Sequence, residues 1–216
     1  MTQNVILTIT GPSLTGKTTL ANDLMNKYDI FETVVTHTTR PPRLGEVNGV
    51  NYHFVDKNQF KSIIENNGFI EYAMVGPEDK EKEFYGSSKK ALDLILSKNK
   101  NPLFVIEPEG AANLRKFALE NNYKIFQIFL NNDSKLLLQR LFDRFKDDKL
   151  ATSENYTKRL LNMLHVEPDK WIKPALTGQQ PYDLIVELFN NNNNEVMDNI
   201  IQKFTELQCE KKRKLK

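Results

Sequence analysis

A phosphate-binding loop pattern occupies residues 11–18. Two glycines, Gly11 and Gly16, are separated by four residues, and Lys17 and Thr18 follow directly. Glycines permit a tight turn that aims backbone N–H groups inward, and a lysine ammonium can reach the β- and γ-phosphates. A threonine hydroxyl can bind Mg²⁺, so Thr18 is the predicted metal ligand. The pattern predicts binding of Mg·ATP or a similar triphosphate by Gly11, Ser13, Thr15, Gly16, Lys17, Thr18 and Thr19.

The sequence on either side of this loop favours that interpretation. Residues 5–10 form a β-branched apolar run of buried-strand length, and residues 19–27 have helical spacing with Leu20, Leu24 and Met25 on one side. A strand, a glycine turn and a helix therefore follow one another in the order that a phosphate loop requires. The alternative is a glycine-softened turn with an exposed lysine.

A second basic segment spans residues 37–55. Pro41 and Pro42 restrict the backbone between Arg40 and Arg43, which suits a pre-shaped anion clamp. Taken alone, the segment is equally compatible with a solvated basic turn.

Together, the phosphate loop, Thr-Thr-Arg-Pro-Pro-Arg at 38–43 and Gly-Glu-Val-Asn-Gly-Val-Asn-Tyr-His-Phe at 45–54 resemble the guanylate kinase family. The resemblance runs from about residue 5 to residue 204. It implies transfer of the γ-phosphoryl group of Mg·ATP to GMP or dGMP. The GMP-binding residues that it implies are Thr36, Arg40, Arg43, Tyr52, Glu71, Tyr85, Ser87 and Glu107.

Glu71 lies in a segment similar to the family's Phe-x-Glu-x-Ala, where a glutamate reads guanine. A carboxylate offers two acceptors that match the N1–H and N2–H₂ donors of guanine, whereas adenine has an acceptor at N1. A surface glutamate on a strand is the alternative. For Ser87, the alternative is capping of the next helix by Ser87 or Ser88.

Three more basic residues resemble the family's lid. Arg140 and Arg144 lie four apart on one predicted helical face, and Arg159 follows a polar stretch. With Lys17, these arginines are the predicted catalytic residues, because planar, permanently charged groups can stabilise a transferring phosphoryl group. The alternative is an exposed basic helix. His165 is given no catalytic role, and Pro168 is expected to interrupt the helix that follows the lid.

Some positions depart from the family pattern. The strand end that reads Asp-x-Asp-x-Gln-Gly in the family has Val105, Glu107 and Glu109 at the corresponding places, and Glu187 replaces an asparagine near the adenine. Residues 76–83 make the predicted hairpin longer than usual. Because of these departures, one alternative is a kinase of the same fold that acts on another acceptor, either a different nucleoside monophosphate or a sugar phosphate.

The alternation of strand and helix predicts an α/β fold, a P-loop NTPase-type parallel sheet flanked by helices. The resemblance implies an inserted small GMP-binding lobe and a helical lid. We expect a single domain, 1–216, with a core at about 1–33, 89–139 and 160–208. The lobe is expected at about 34–88, the lid at about 140–159 and a basic tail at 209–216.

Composition limits the other classes of function. Hydrophobic residues make up 39% and charged residues 27% of the 216, and the net charge of +2 does not call for nucleic acid or an anionic membrane. The single cysteine, Cys209, excludes an internal disulfide and a cysteine metal site. We expect a cytoplasmic monomer or homodimer. A non-catalytic relative that holds a phosphorylated peptide is a further alternative, although it has no reason to keep the phosphate loop.

Overall fold

The computed structural model describes residues 4–43, 45–75, 82–147, 153–187 and 193–209. Its strands are β1 Val5–Thr10, β2 Phe31–Thr33, β3 His37–Thr38, β4 His53–Phe54, β5 Phe69–Val75, β6 Glu83–Ser88, β7 Asn101–Val105, β8 Lys124–Asn131 and β9 Leu184–Glu187. Its α-helices are α1 Lys17–Lys27, α2 Lys57–Glu65, α3 Lys89–Ser97, α4 Pro108–Glu120, α5 Ser134–Asp147, α6 Ser153–Leu161, α7 Lys173–Leu176 and α8 Asn193–Cys209.

The larger sheet has the order β2-β7-β1-β8-β9, and every pairing in it is parallel. The central strand β1 is buried along its whole length, as expected for a β-branched run covered on both faces. Apolar residues of α1 and α8 pack against one group of its side chains, and those of α3 and α4 pack against another. The predicted α/β fold with a helix-flanked parallel sheet is confirmed.

A smaller sheet with the order β4-β3-β6-β5 lies between β2 and α3 in the chain. The β-branched residues within 31–36 favour a single strand over that stretch, but the structure does not contain one. The first strand ends at Thr33, and the chain then crosses to the smaller sheet, where His37 pairs with Gly86 and His53. The local pattern of residues 31–36 does not reveal that the chain leaves one sheet for another within this stretch.

The prediction that Pro168 interrupts the helix after the lid was also wrong. The backbone stays helical from Ser153 to Leu176, but it widens into π-helical segments at Asn162–Val166 and Pro168–Ile172. Proline lacks an N–H group, and its ring crowds the carbonyl four residues earlier in an α-helix. A wider turn relieves that crowding, so the helix bulges and continues.

Three predicted features fall wholly or partly outside the described residues. These are the hairpin tip at 76–81, the middle of the lid at 148–152 and the tail from residue 210. Among the residues that are described, no helix is long and apolar enough to span a membrane.

His37 is a partly buried histidine in the smaller sheet. Its ring centroid lies 4.7 Å from that of His53 and 5.6 Å from that of Phe69. Within the described residues, its Nδ1 atom has no hydrogen-bond partner. Burial, together with the neighbouring His53, lowers the pKa of His37 from 6.5 to about 4. The folded protein therefore keeps this ring neutral at pH values where the unfolded chain protonates it.

This depressed pKa predicts a loss of stability in mild acid. The contribution of a neutral His37 is complete above pH 6.5 and declines as the pH falls toward 4, because the unfolded chain then binds the proton more readily. The unfolding midpoint should fall between pH 7 and pH 5, and less steeply in His37→Gln. Thermal unfolding across this range measures both slopes. The exposed His165 supplies the control: His165→Gln should keep the wild-type slope, and an identical slope in His37→Gln would contradict the assignment.

Candidate active site

A cavity of about 740 Å³ opens at the carboxyl end of β1. It brings the predicted phosphate loop together with the predicted lid arginines, although Ser13 and Arg159 are 146 positions apart in the sequence. Its lining residues are Ser13, Leu14, Gly16, Lys17, Thr18, Thr19, Leu20, Arg43, Arg140, Arg144, Arg159 and Met163. The three arginines thus line a cavity that they share with the phosphate loop; Arg140 and Arg159 are partly buried, and Arg144 is exposed.

The loop turns tightly because of its two glycines. A Cβ atom on Gly11 would lie 2.2 Å from the carbonyl oxygen of Leu130 in β8, and the φ angle of Gly11 is +139°. Gly16 has a φ angle of +95° and directly precedes α1. The backbone N–H groups in the first turn of α1 have no partners within the helix, so they can bind an anion next to the loop.

Other contacts brace the loop from its sides. The Thr15 hydroxyl donates to the Pro12 carbonyl at 2.9 Å, so this side chain stabilises the loop itself. Arg140 donates through Nη1 to the carbonyl of Leu14 at 3.0 Å. Leu14 has a left-handed φ angle of +64°, which is costly for a residue with a side chain. Contacts with the surrounding structure hold it there.

Lys17 is the buried cation of the loop. Its Nζ donates to the carbonyls of Gly11 at 3.0 Å and Pro12 at 2.8 Å. Burial lowers the pKa of the Lys17 ammonium below its usual value, whereas the nearby carboxylates of Glu167 and Glu107 raise it. The two carboxylates therefore favour the charged form that a phosphate needs.

The donor set at this cavity fits a magnesium ion that arrives with a nucleotide. Thr18 lines the cavity with its hydroxyl-bearing side chain, and the described residues contain no group of three acidic, histidine or cysteine side chains that could hold a metal. Mg²⁺ commonly keeps several waters and is bound by substrate phosphates plus one or two protein oxygens. A site with Thr18 and few other protein ligands meets that description.

A second cavity of about 310 Å³ lies between the larger sheet and the smaller one. Every predicted GMP-binding residue except Ser87 lines it. The full lining consists of Thr36, Arg40, Arg43, Tyr52, Glu71, Ala73, Tyr85, Gly86, Val105, Ile106, Glu107, Glu109 and Gly110. Arg43 lines both cavities, so the two spaces are neighbours.

Ser87 is held beside this cavity by Glu71. Its hydroxyl donates to Glu71 Oε1 at 2.6 Å, while Ser88 caps α3 by accepting from the Ala91 N–H at 3.2 Å. The structure therefore assigns the capping role to Ser88. Burial raises the pKa of the Glu71 carboxyl, and the hydrogen bond from Ser87 opposes that rise. A Cβ atom on Gly110 would lie 3.1 Å from Glu71 Oε2, so a larger residue there would crowd the carboxylate.

Arg40 is held in position by several partners. Its Nη2 donates to Glu46 at 2.9 Å, its Nη1 donates to the Pro41 carbonyl at 2.7 Å, and its guanidinium carbon lies 5.5 Å from the ring centroid of Tyr52. Glu46 also accepts from the backbone N–H of Arg43 at 2.7 Å. One carboxylate thus organises both arginines of the clamp, which contrasts with a freely solvated turn.

The residues that depart from the family pattern lie in two places, the second cavity and strand β9. Val105, Glu107 and Glu109 all line the second cavity, and Glu109 accepts from Lys170 at 2.7 Å in an exposed ion pair. Burial raises the pKa of the Glu107 carboxyl, and Lys17 opposes that shift. Glu187 accepts from Asn131 Nδ2 at 3.3 Å on the neighbouring strand.

One residue of the site was missed from the sequence. Glu167 is buried, with 3% of its surface exposed, and it contacts Ser13 of the phosphate loop. The two residues are 154 positions apart, and a single glutamate beside a proline carries no local pattern that reports such a contact.

Comparisons with known proteins place this arrangement in a family. A family model described as guanylate kinase matches residues 2–174. A guanylate kinase of Neisseria meningitidis serogroup A is 34% identical over 182 residues, covering 73% of this chain and 86% of that protein. A guanylate kinase of Clostridium perfringens is 35% identical over 142 residues, covering 66% of this chain and 62% of that protein. The matched region thus spans less than two thirds of the C. perfringens relative.

A solved structure agrees with these matches. The crystal structure of guanylate kinase from Anaplasma phagocytophilum has a TM-score of 0.66 and 25% sequence identity, covering 97% of this chain and 89% of that chain. The phosphate loop, the paired cavities and these matches together show that the chain belongs to the guanylate kinase family.

Proposed function

We propose that this protein transfers the γ-phosphoryl group of Mg·ATP to GMP or dGMP, giving ADP and the nucleoside diphosphate. The observation that carries the proposal is the pair of neighbouring cavities, one lined by the phosphate loop and the other by the Glu71 carboxylate and the Arg40 clamp. Volumes of about 740 and 310 Å³ suit small-molecule ligands, which commonly occupy pockets of roughly 300–1,000 Å³.

In this proposal, catalysis comes from positioning and charge stabilisation. Phosphoryl transfer needs the attacking and leaving oxygens in line, with cations around the transferred group. Lys17, Arg140, Arg144 and Arg159 line the donor cavity and can supply those charges. Arg43 lies at the junction of the two cavities, where the acceptor phosphate would meet the donor.

The acceptor base would be read by Glu71. Its two carboxylate oxygens match the N1–H and N2–H₂ donors of guanine, and the Ser87 hydroxyl donates to one of these oxygens at 2.6 Å. Arg40 and Arg43, with Tyr52 and Tyr85, would bind the acceptor phosphate. Thr36 and Glu107 line the same cavity and complete the proposed acceptor site.

Magnesium would be held by Thr18 and the nucleotide phosphates, where it would neutralise charge on the transferring group. We further propose that the domain divides into a core, a lobe at about 34–88 and a lid at about 140–159. Closure of the lobe and the lid would exclude water from the reaction.

An acceptor panel tests the proposed function. The protein is assayed for ADP release with Mg·ATP and GMP, dGMP, AMP, UMP, CMP or dTMP at equal concentration. Selective turnover of GMP or dGMP is expected. Selective turnover of another acceptor would keep the phosphoryl-transfer machinery and contradict the guanine site, and binding of a phosphorylated peptide without turnover would contradict catalysis altogether.

Replacement of Lys17 tests the donor site. Lys17→Ala removes the buried ammonium, and kcat should fall by about 10²–10³-fold, as expected for the loss of one preorganised charge on a transition state. Steady-state kinetics with GMP measure the change. Lys27→Ala is the matched control, since Lys27 lies on the same helix but pairs with Asp198 on the surface. Near-normal activity of Lys17→Ala would remove the loop from the mechanism.

Replacement of Glu71 tests the base pocket. Glu71→Gln keeps one carbonyl acceptor but turns an amide donor toward the guanine donors, so kcat/KM for GMP should fall by about 10–100-fold, mainly through KM. The KM for ATP should stay within about twofold, because Glu71 does not line the cavity of the phosphate loop. The exposed Glu65 provides Glu65→Gln as the control. An unchanged KM for GMP would mean that the base is read elsewhere.

A further inference from the structure

Glu167 is a buried carboxylate that contacts the phosphate loop. The Ser13 hydroxyl donates to Oε1 at 2.7 Å, and the Ser13 backbone N–H lies 3.3 Å from both carboxylate oxygens. Only 3% of Glu167 is exposed. A buried carboxylate is costly unless hydrogen bonds and opposite charge compensate its lost hydration, and here Ser13 and Lys17 supply them.

The helix that carries Glu167 is widened on both sides of it. The Glu167 N–H donates to the Asn162 carbonyl and the Lys173 N–H donates to the Pro168 carbonyl, both five residues apart. Each residue advances an α-helix by about 100°, so a wide turn changes which side of the helix the following residues occupy. The bulges therefore help to determine that Glu167, and not a neighbour, faces the loop.

The carboxylate lies beside the loop and not in the donor cavity. Ser13, Lys17 and Thr18 line that cavity, and Glu167 is absent from its lining. Glu167 therefore contacts the loop from outside the residues that line this cavity. This arrangement suits a residue that supports the loop more than a residue that occupies the binding site.

The loop is held from both ends of the predicted lid. Arg140, at the start of the lid, donates to the Leu14 carbonyl, and Glu167, eight residues beyond Arg159, accepts from the adjacent Ser13. Arg159 and Glu167 lie on one helical stretch that is continuous from Ser153 to Leu176. The two helical segments that carry the predicted lid arginines thus each contact one of two consecutive loop residues.

We infer that Glu167 is a positioning residue that fixes Ser13, and with it the first half of the phosphate loop, for the donor triphosphate, and couples this loop to the helix that carries Arg159. The inference rests on the proposed function for the identity of the acceptor, but its effect on the donor site is measurable without an acceptor. Glu167 would act through Ser13 and through the placement of the helix.

The test combines variants of both partners. Glu167→Gln keeps the shape and one acceptor oxygen, so the KM and the dissociation constant for ATP should rise about fivefold, and Glu167→Ala should raise them by about tenfold or more. The KM for GMP should stay within about twofold. Asp169→Asn is the matched control, because Asp169 is an exposed carboxylate on the same helix.

A double-mutant cycle separates positioning from general support of the fold. Ser13→Ala combined with Glu167→Ala should lose less ATP affinity than the two single losses multiplied together, because both changes break the same contact. Equal increases in both KM values, or multiplicative losses in the cycle, would overturn the inference. Unchanged ATP binding in Glu167→Gln would overturn it as well, even if Glu167→Ala fails to fold.

The failure of this inference is distinguishable from the failure of the proposed function. Calorimetric titration with ATP needs no acceptor, so the comparison of Glu167→Gln with wild type stands even if GMP is not phosphorylated. In the converse case, wild-type turnover of GMP with unchanged ATP affinity in the variants would preserve the proposed function and reject the role of Glu167.

Discussion

The partly buried ammonium group of Lys17 links the phosphate loop to carboxylates from two other parts of the chain. Loss of hydration lowers the pKa of this group, and the nearby carboxylates of Glu107 and Glu167 oppose that effect. Glu107 lines the cavity beside Glu71, and Glu167 lies on the helical stretch from Ser153 to Leu176. The Lys17 ammonium is therefore stabilised by elements that come from different parts of the chain.

The features that the sequence predicted best are those fixed by local chemistry. Gly11 and Gly16 have positive φ angles that other residues rarely adopt. Their spacing in the sequence therefore predicts the turn without knowledge of any tertiary contact. The buried run of β1 and the helical spacing of α1 are local in the same sense. The overall parallel sheet followed from these alternating patterns, and the roles assigned to individual site residues stay predictions.

The features that the sequence did not predict depend on contacts between distant residues, or on local sequences that are compatible with more than one structure. The contact between Ser13 and Glu167 joins residues 154 positions apart, and no local sequence pattern around Glu167 predicts it. Pro168 is normally a signal for the end of a helix, but here a widened backbone absorbs it. Ser87 and Ser88 are equally good caps by composition, and only the position of Glu71 in space distinguishes them.

In the proposed function, guanosine monophosphate occupies the cavity beside Glu71. Calorimetric titration of the protein with GMP, IMP and AMP tests it most directly, because IMP lacks only the N2 amino group and AMP also lacks the N1–H donor. We expect GMP to bind more tightly than IMP by about tenfold or more, and AMP to bind most weakly. Equal affinities for the three nucleotides would contradict the assignment of Glu71 as the group that reads the base.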